Sequence, residues 1–113
     1  MIVFNETRNR CIASKCSLAD TFVKRFIGLM GKSELPDNYG LMISPCNSIH
    51  MFFMRFPLDI IFIDKENKVV HQVENILPWK VSRIVPQARS AIELPVGTIR
   101  ITETTLGDQL SII

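Results

Sequence analysis

The sequence lacks the long apolar runs that mark membrane spans and secretory signals. No stretch of the 113 residues approaches the roughly 18–20 consecutive apolar residues of a transmembrane helix. The first residues carry no basic segment and meet an acid at Glu6, which is not the pattern of a secretory signal. We therefore expect a protein without a membrane span that resides in the cytoplasm.

Cysteine is scarce and odd in number, since Cys11, Cys16 and Cys46 are the only three. An odd count in a chain without a signal predicts free thiols in a reducing compartment. Zinc would accept these three thiols together with His50, but their spacings are looser than the tight Cys-x-x-Cys turns typical of zinc sites. We expect no metal and no other cofactor.

The charge is small and evenly spread along the chain. Thirteen Lys and Arg against eleven Asp and Glu give a formal net charge of +2, without the basic stripe typical of nucleic-acid binding. A Gly-rich phosphate loop and a Gly-x-Ser-x-Gly elbow are both missing. The expected partner is therefore an unknown small molecule or a protein and not a nucleic acid, and the expected state is a monomer or weak dimer.

The sequence does have enough apolar residues for one compact core. Hydrophobic residues make up 47% and charged residues 21%, which is typical of a globular protein, and the length predicts a single domain over residues 1–113. Short apolar runs separated by turn residues predict a mainly β fold, a compact antiparallel barrel or sandwich. The predicted strands are 2–5, 11–13, 41–44, 57–64, 69–74, 91–94, 99–101 and 109–113.

One helix is predicted near the N-terminus, at about residues 18–30. Ser17 is a suitable N-cap, and Arg25 lies at the edge of an apolar face, where it either reaches solvent or needs an acidic partner. The apolar face expected to pack on the core consists of Leu18, Phe22, Phe26 and Leu29.

Two lone acids stand in otherwise apolar predicted strands. Asp59 lies in Leu-Asp-Ile-Ile-Phe-Ile and Glu93 in Ala-Ile-Glu-Leu. A buried charge without a partner is very costly. We therefore expect a structural charge cluster in which Arg25 pairs with Asp59 or Glu93 and fixes the helix onto the sheet.

Several sequence blocks, taken together, resemble the DUF192 family over about residues 17–113. This resemblance implies a compact, mostly β domain with one helix and no established reaction or cofactor. The blocks are Arg25-x-x-Gly28-Leu-Met30, Gly40-Leu-Met42, Ile49-His-Met-Phe-Phe-Met54, Leu58-Asp-Ile-Ile-Phe-Ile-Asp64, Ala91-Ile-Glu-Leu-Pro-Val-Gly97 and Gly107-Asp108.

Residues 46–64 hold most of the side chains suited to a site. They include one of the two histidines, two of the five methionines and four of the seven phenylalanines. Met and aromatic side chains form adaptable apolar walls, and a few polar groups would orient a ligand. We expect a non-enzymatic binding cleft with Arg25, Asp59 and Glu93 beneath it. The expected lining is Met30, His50, Met51, Phe53, Met54 and Trp79.

Catalysis by His50 is the alternative interpretation of the same residues. The reference pKa of histidine lies near neutrality, and as a general base His50 would need Asp59 or Glu93 to orient it. Cys46 is a candidate nucleophile only if the chain turns between Cys46 and His50, because four residues of extended strand would separate them by roughly 13 Å. The preferred interpretation is that the protein is not an enzyme, and the alternative is a hydrolase-like or other enzyme that uses His50 with Asp59 or Glu93 as acid and base.

Overall fold

The computed structural model describes all residues, 1–113, as two β-sheets with two short helices. No helix is both long enough and apolar enough to cross a membrane. In chain order the elements are β1 (Val3–Asn5), β2 (Arg10–Ala13), β3 (Lys15–Ala19), α1 (Phe22–Ile27), β4 (Tyr39–Ile43), β5 (Leu58–Ile63), β6 (Val69–Ile76), β7 (Ser90–Leu94), α2 (Thr98–Thr102) and β8 (Leu110–Ile112).

The strands form a three-stranded sheet in the order β2-β1-β8 and a five-stranded sheet in the order β3-β4-β7-β5-β6. All pairs are antiparallel except β3 and β4, which are parallel. The prediction of a mainly β fold is confirmed, with two sheets and without closure into a barrel.

Strand β5 is buried on both faces, and its alternation divides the interior into two cores. All six residues of β5 are buried, between β6 and β7. Ile61 and Ile63 point to a core that they share with Val3 and Leu110 of the three-stranded sheet. Ile61 and Ile63 share this face because successive side chains of a strand point to opposite faces. We call this cluster the inter-sheet core, and it holds the two sheets together.

The other face of the five-stranded sheet is covered by loops. Ile60 and Phe62 of β5 pack there against Ile49, Met51 and Val85 from the two long connections 44–57 and 77–89. We call this the loop core. Irregular segments tend to carry binding residues when a rigid sheet positions them, so this side of the sheet is where a site is expected.

Helix α1 is shorter than predicted and begins later. The N-cap is Thr21, whose hydroxyl accepts a hydrogen bond from the Lys24 amide at 3.2 Å. The predicted N-cap, Ser17, lies in β3 instead, where it is paired with Leu41 of β4. The predicted start of the helix was wrong because the parallel pairing of β3 with β4 uses residues 15–19 as a strand.

The apolar face of α1 does not pack into a core as predicted. Phe22 is 77% exposed and Phe26 56% exposed, and no residue of α1 is buried. Leu18 is also exposed, on β3, and only Leu29 reaches the loop core. The amphipathic pattern therefore marks a surface feature of the molecule.

The second helix, α2, was not predicted. Residues 99–101 read as a strand in the sequence but lie within α2. The Asp59 carboxylate accepts hydrogen bonds from the amides of Gly97 and Ile99 at the start of α2. This tertiary contact favours the helical turn over the extended conformation that the β-branched residues prefer. The other predicted strands are all present.

Candidate functional site

A cavity of about 410 Å³ lies beneath α1, and sixteen residues line it. We call it the helix cavity. Helix α1 and the residues after it form one wall, and the connection after β4 forms the other. The lining residues are Phe22, Arg25–Met30, Ile43, Pro45–His50, Met54 and Glu93.

Glu93 of β7 lies in the helix cavity and is only 4% exposed. Its Oε1 is buried without a hydrogen-bond partner, although buried polar atoms nearly always have one. Gly28 covers the carboxyl group, since a Cβ at Gly28 would lie 3.6 Å from Oε1. Gly28 has a φ of +49°, which glycine adopts without steric cost.

Burial raises the pKa of Glu93 from 4.5 to about 8. The desolvated carboxylate is unfavourable in this site, so the protonated form predominates at neutral pH. A protonated carboxyl group can donate one hydrogen bond and accept others. The cavity therefore presents a neutral acid with unused hydrogen-bonding capacity.

Asp59 does not belong to this cavity, because it points to the opposite face of the sheet. Asp59 and Ile60 are neighbours on β5, so their side chains point to opposite faces of the sheet, and Ile60 belongs to the loop core. Glu93 of β7 pairs with Ile60 and therefore lies on the loop-core face. The Asp59 carboxylate accepts hydrogen bonds from the amides of Asn75 at 2.9 Å, Gly97 at 3.1 Å and Ile99 at 3.0 Å. The expected pairing of Arg25 with Asp59 was wrong because backbone amides satisfy this carboxylate.

Arg25 lies at the cavity without an acidic partner. Its guanidinium donates to the carbonyl oxygens of Thr21 at 3.4 Å and Pro45 at 3.1 Å. The two ion pairs of the chain join Arg8 to Asp108 and Arg10 to Glu103. Arg25 and Glu93 thus line one cavity but form no salt bridge, which corrects the predicted charge cluster.

His50 lines the helix cavity but forms no catalytic dyad with an acid. Its ring lies between Phe26, at a centroid distance of 5.6 Å, and Phe52, at 5.1 Å. Its Nδ1 accepts a hydrogen bond from the Phe52 amide at 3.3 Å. Neither Asp59 nor Glu93 is hydrogen-bonded to His50, so the orientation required for a general base is missing.

Cys46 also lines the cavity and is held as a thiol. Its Sγ donates to the Ser48 carbonyl oxygen at 3.1 Å, and burial raises the pKa of the thiol. Since the thiolate is the nucleophilic form, Cys46 is poorly suited to covalent catalysis. The three cysteines and His50, which zinc would accept, do not come together, since no three or more His, Cys, Asp and Glu side chains are grouped as in a metal site.

The remaining predicted lining residues divide into three groups. Met30 and Met54 line the helix cavity, whereas Met51 is fully buried in the loop core. Phe53 and Trp79 lie outside the helix cavity, with ring centroids 4.9 Å apart. Both have a positive φ, 62° and 71°, which is uncommon for aromatic residues. This exposed pair of rings forms a surface that we call the aromatic ridge.

Several lining residues were not predicted as part of a site. Phe22 and Phe26 were predicted only as part of the apolar face of a helix, because helical periodicity does not show whether another element covers that face. Asn47, Ser48 and Ile49 also line the cavity. The only signal for these three was their position in an irregular segment between two strands.

A second cavity, of about 280 Å³, adjoins the first. We call it the arginine cavity, because Arg25 and Arg89 both line it. It shares Arg25, Pro45, Cys46 and Asn47 with the helix cavity, and Ala88 and Arg89 complete its lining. The mainly apolar helix cavity thus adjoins the basic arginine cavity.

Comparison with known proteins finds relatives of undescribed function. The DUF192 family model, described as "Uncharacterized ACR", matches residues 3–112. The chain is 38% identical over 116 residues to a UPF0127 protein of Thermococcus gammatolerans, covering 97% of this chain and 74% of that protein. It is 34% identical over 115 residues to UPF0127 protein PH1112 of Pyrococcus horikoshii, covering 96% of each.

A solved structure shares the fold. The crystal structure of a protein of unknown function from Novosphingobium aromaticivorans superposes with a TM-score of 0.86. The superposition covers 98% of this chain and 83% of the other, at 23% sequence identity. This likeness shows the fold, so the function has to be inferred from the site.

Proposed function

The chain belongs to the DUF192 family of uncharacterised proteins, and on that premise we propose that it binds a small ligand in the helix cavity without catalysing a reaction. The ligand enters beside α1, packs against the apolar walls and hydrogen-bonds to Glu93. The ligand is recognised by a preformed cavity, and its binding requires no cofactor.

The unpartnered carboxyl group of Glu93 is the observation that carries this proposal. Leaving a buried polar group unsatisfied costs about 1–3 kcal/mol. Inside this chain nothing repays that cost, since Oε1 has no partner. A ligand that supplies the missing hydrogen bond would recover much of it, which gives the cavity both affinity and selectivity.

The size and the walls of the cavity also support ligand binding. A volume of about 410 Å³ lies within the range of roughly 300–1,000 Å³ that is usual for small-molecule sites. Met30 and Met54 provide flexible, polarizable walls, and Phe22 and Phe26 of α1 stand exposed at the entrance. A ligand would cover apolar surface that the chain itself leaves in water.

A protein partner is the second candidate, favoured by a different surface. Phe53 is 62% exposed, and Trp79 and Ile84 are exposed as well. Exposed aromatic side chains of this kind are common at protein interfaces. An enzyme acting through His50 has less support, because no acid is hydrogen-bonded to that ring.

Alkylation of the cysteines by N-ethylmaleimide tests small-ligand binding. A thermal-shift screen of metabolites first selects compounds that raise the melting temperature, since binding to the native state increases stability. With such a compound at saturation, we expect alkylation of Cys46 to slow about tenfold or more, because the thiol lies in the cavity. Peptide mass spectrometry measures each cysteine separately.

Cys11 provides the internal control for this experiment. It is exposed on β2, and it does not line either cavity. Its rate should not change with ligand. If every stabilising compound left Cys46 as reactive as before, the ligand would bind elsewhere and the proposed function would be wrong. A partner on the aromatic ridge would also leave Cys46 reactive.

A further inference from the structure

We propose that the ligand is an amphipathic anion, with a mainly apolar body that hydrogen-bonds to Glu93 in the helix cavity and a carboxylate or phosphate group between Arg25 and Arg89 in the arginine cavity. This inference rests on the proposed function and specifies the chemical class of the ligand. The two cavities are then two parts of one site.

The shared lining makes a single ligand geometrically reasonable. Arg25, Pro45, Cys46 and Asn47 line both cavities. Nine of the sixteen residues that line the first cavity are hydrophobic, whereas the second has two arginines among its six residues. A molecule that fills both must therefore be apolar at one end and suited to guanidinium groups at the other.

The two arginines are available for an anion. Neither takes part in the ion pairs of the chain, which involve Arg8 and Arg10. The Arg25 guanidinium hydrogen-bonds only to backbone carbonyl oxygens, and Arg89 is exposed. The planar guanidinium group binds carboxylate and phosphate oxygens with two parallel hydrogen bonds.

No ionised acid opposes an anion in this site. Glu93 is the only carboxylic acid that lines either cavity, and burial holds it protonated at neutral pH. The titratable groups around it are Arg25 from α1 together with Cys46 and His50 from the connection after β4. The site is therefore neutral to positive, so it attracts anions and disfavours cations.

Three matched probes test the sign of the ligand charge. Naphthylacetate, naphthylethanol and naphthylethylamine share one apolar body and present an anion, a neutral group and a cation at neutral pH. In calorimetric titrations of the full chain at low salt, we expect the anion to bind about tenfold more tightly than the alcohol, and the amine most weakly. The difference should shrink as salt is added, because salt screens exposed charges.

Single substitutions then locate the charged end of the probe. Arg89→Gln and Arg25→Gln should each weaken naphthylacetate binding about three- to tenfold and weaken naphthylethanol binding by a clearly smaller factor. Arg89→Gln is the more conclusive variant, because Arg89 is exposed and forms no ion pair whose loss would disturb the fold. Arg83→Gln is the matched control, since Arg83 is exposed and lines neither cavity.

The outcomes separate this inference from the proposed function. Equal affinities for the three probes, or tightest binding of the amine, would overturn the anion assignment. If Cys46 were still protected by the probes, the proposed function would stand. Failure of all three probes to bind at millimolar concentrations would also overturn the anion assignment, and protection of Cys46 by other compounds would then decide the proposed function separately. Replacing the carboxylate by a phosphonate distinguishes a carboxylate site from a phosphate site.

Discussion

Replacing Asp59 with alanine is expected to lower the free energy of unfolding by about 3–5 kcal/mol. The carboxylate is 1% exposed and accepts hydrogen bonds from the amides of Asn75, Gly97 and Ile99. Alanine would leave these three amides without their acceptor, at about 1–3 kcal/mol for each one that stays buried. Because domains of this size have only about 5–15 kcal/mol of stability, urea denaturation should show a large shift.

Two further variants show that the loss comes from those hydrogen bonds. Asp59→Asn keeps the side-chain volume and one acceptor oxygen, so its loss should be smaller than that of alanine. Glu74→Ala removes an exposed acid from the neighbouring strand β6 and should change stability by less than about 0.5 kcal/mol. If Asp59→Ala were as mild as Glu74→Ala, Asp59 would not be the anchor of α2.

Replacing Glu93 with glutamine is expected to remove most of a steep pH dependence of stability. The folded-state pKa of about 8 lies above the ordinary value of 4.5. Between these values the folded chain retains a proton that the unfolded chain has released. Stability therefore falls as pH rises from about 4.5 to about 8 and is level above that, with a total loss of roughly 3–5 kcal/mol.

Urea denaturation of both proteins at about pH 5 and about pH 8.5 measures this effect. The wild-type chain should lose stability relative to Glu93→Gln by roughly 3–5 kcal/mol between the two conditions. Glu34→Gln, which alters an exposed acid in a loop, should follow the wild type. A difference between wild type and Glu93→Gln that is the same at both pH values would show that Glu93 ionises normally in the folded chain.

The strands of the sheets could be predicted from the sequence because their signals are local. The apolar run of β5 and the turn at Asn67, which has a φ of +64°, specify the hairpin with β6. The lone acids Asp59 and Glu93 were also recognised correctly as buried side chains. Their partners could not be predicted, because the amides that satisfy Asp59 come from segments 16 to 40 residues away.

The candidate site was only partly predictable, because much of its lining comes from segments of irregular backbone. Met30, His50 and Met54 line the helix cavity together with Arg25 and Glu93. Met51 and Phe53 were placed wrongly because the segment between β4 and β5 has no regular period that fixes the direction of each side chain. The positive φ of Phe53 turns this residue away from the strand geometry that alternation assumes.

The measurement that tests the central claim most directly is a carbon NMR titration of the Glu93 side-chain carboxyl group. The signal can be assigned by its loss in Glu93→Gln and followed through the pH range in which the protein stays folded. Because the carboxyl group is buried without a partner, we expect its midpoint near 8. We also expect the midpoint to move higher with saturating naphthylacetate, since a nearby anion disfavours the carboxylate. A midpoint at the ordinary value of about 4–5 would contradict a neutral, unpartnered acid in the cavity.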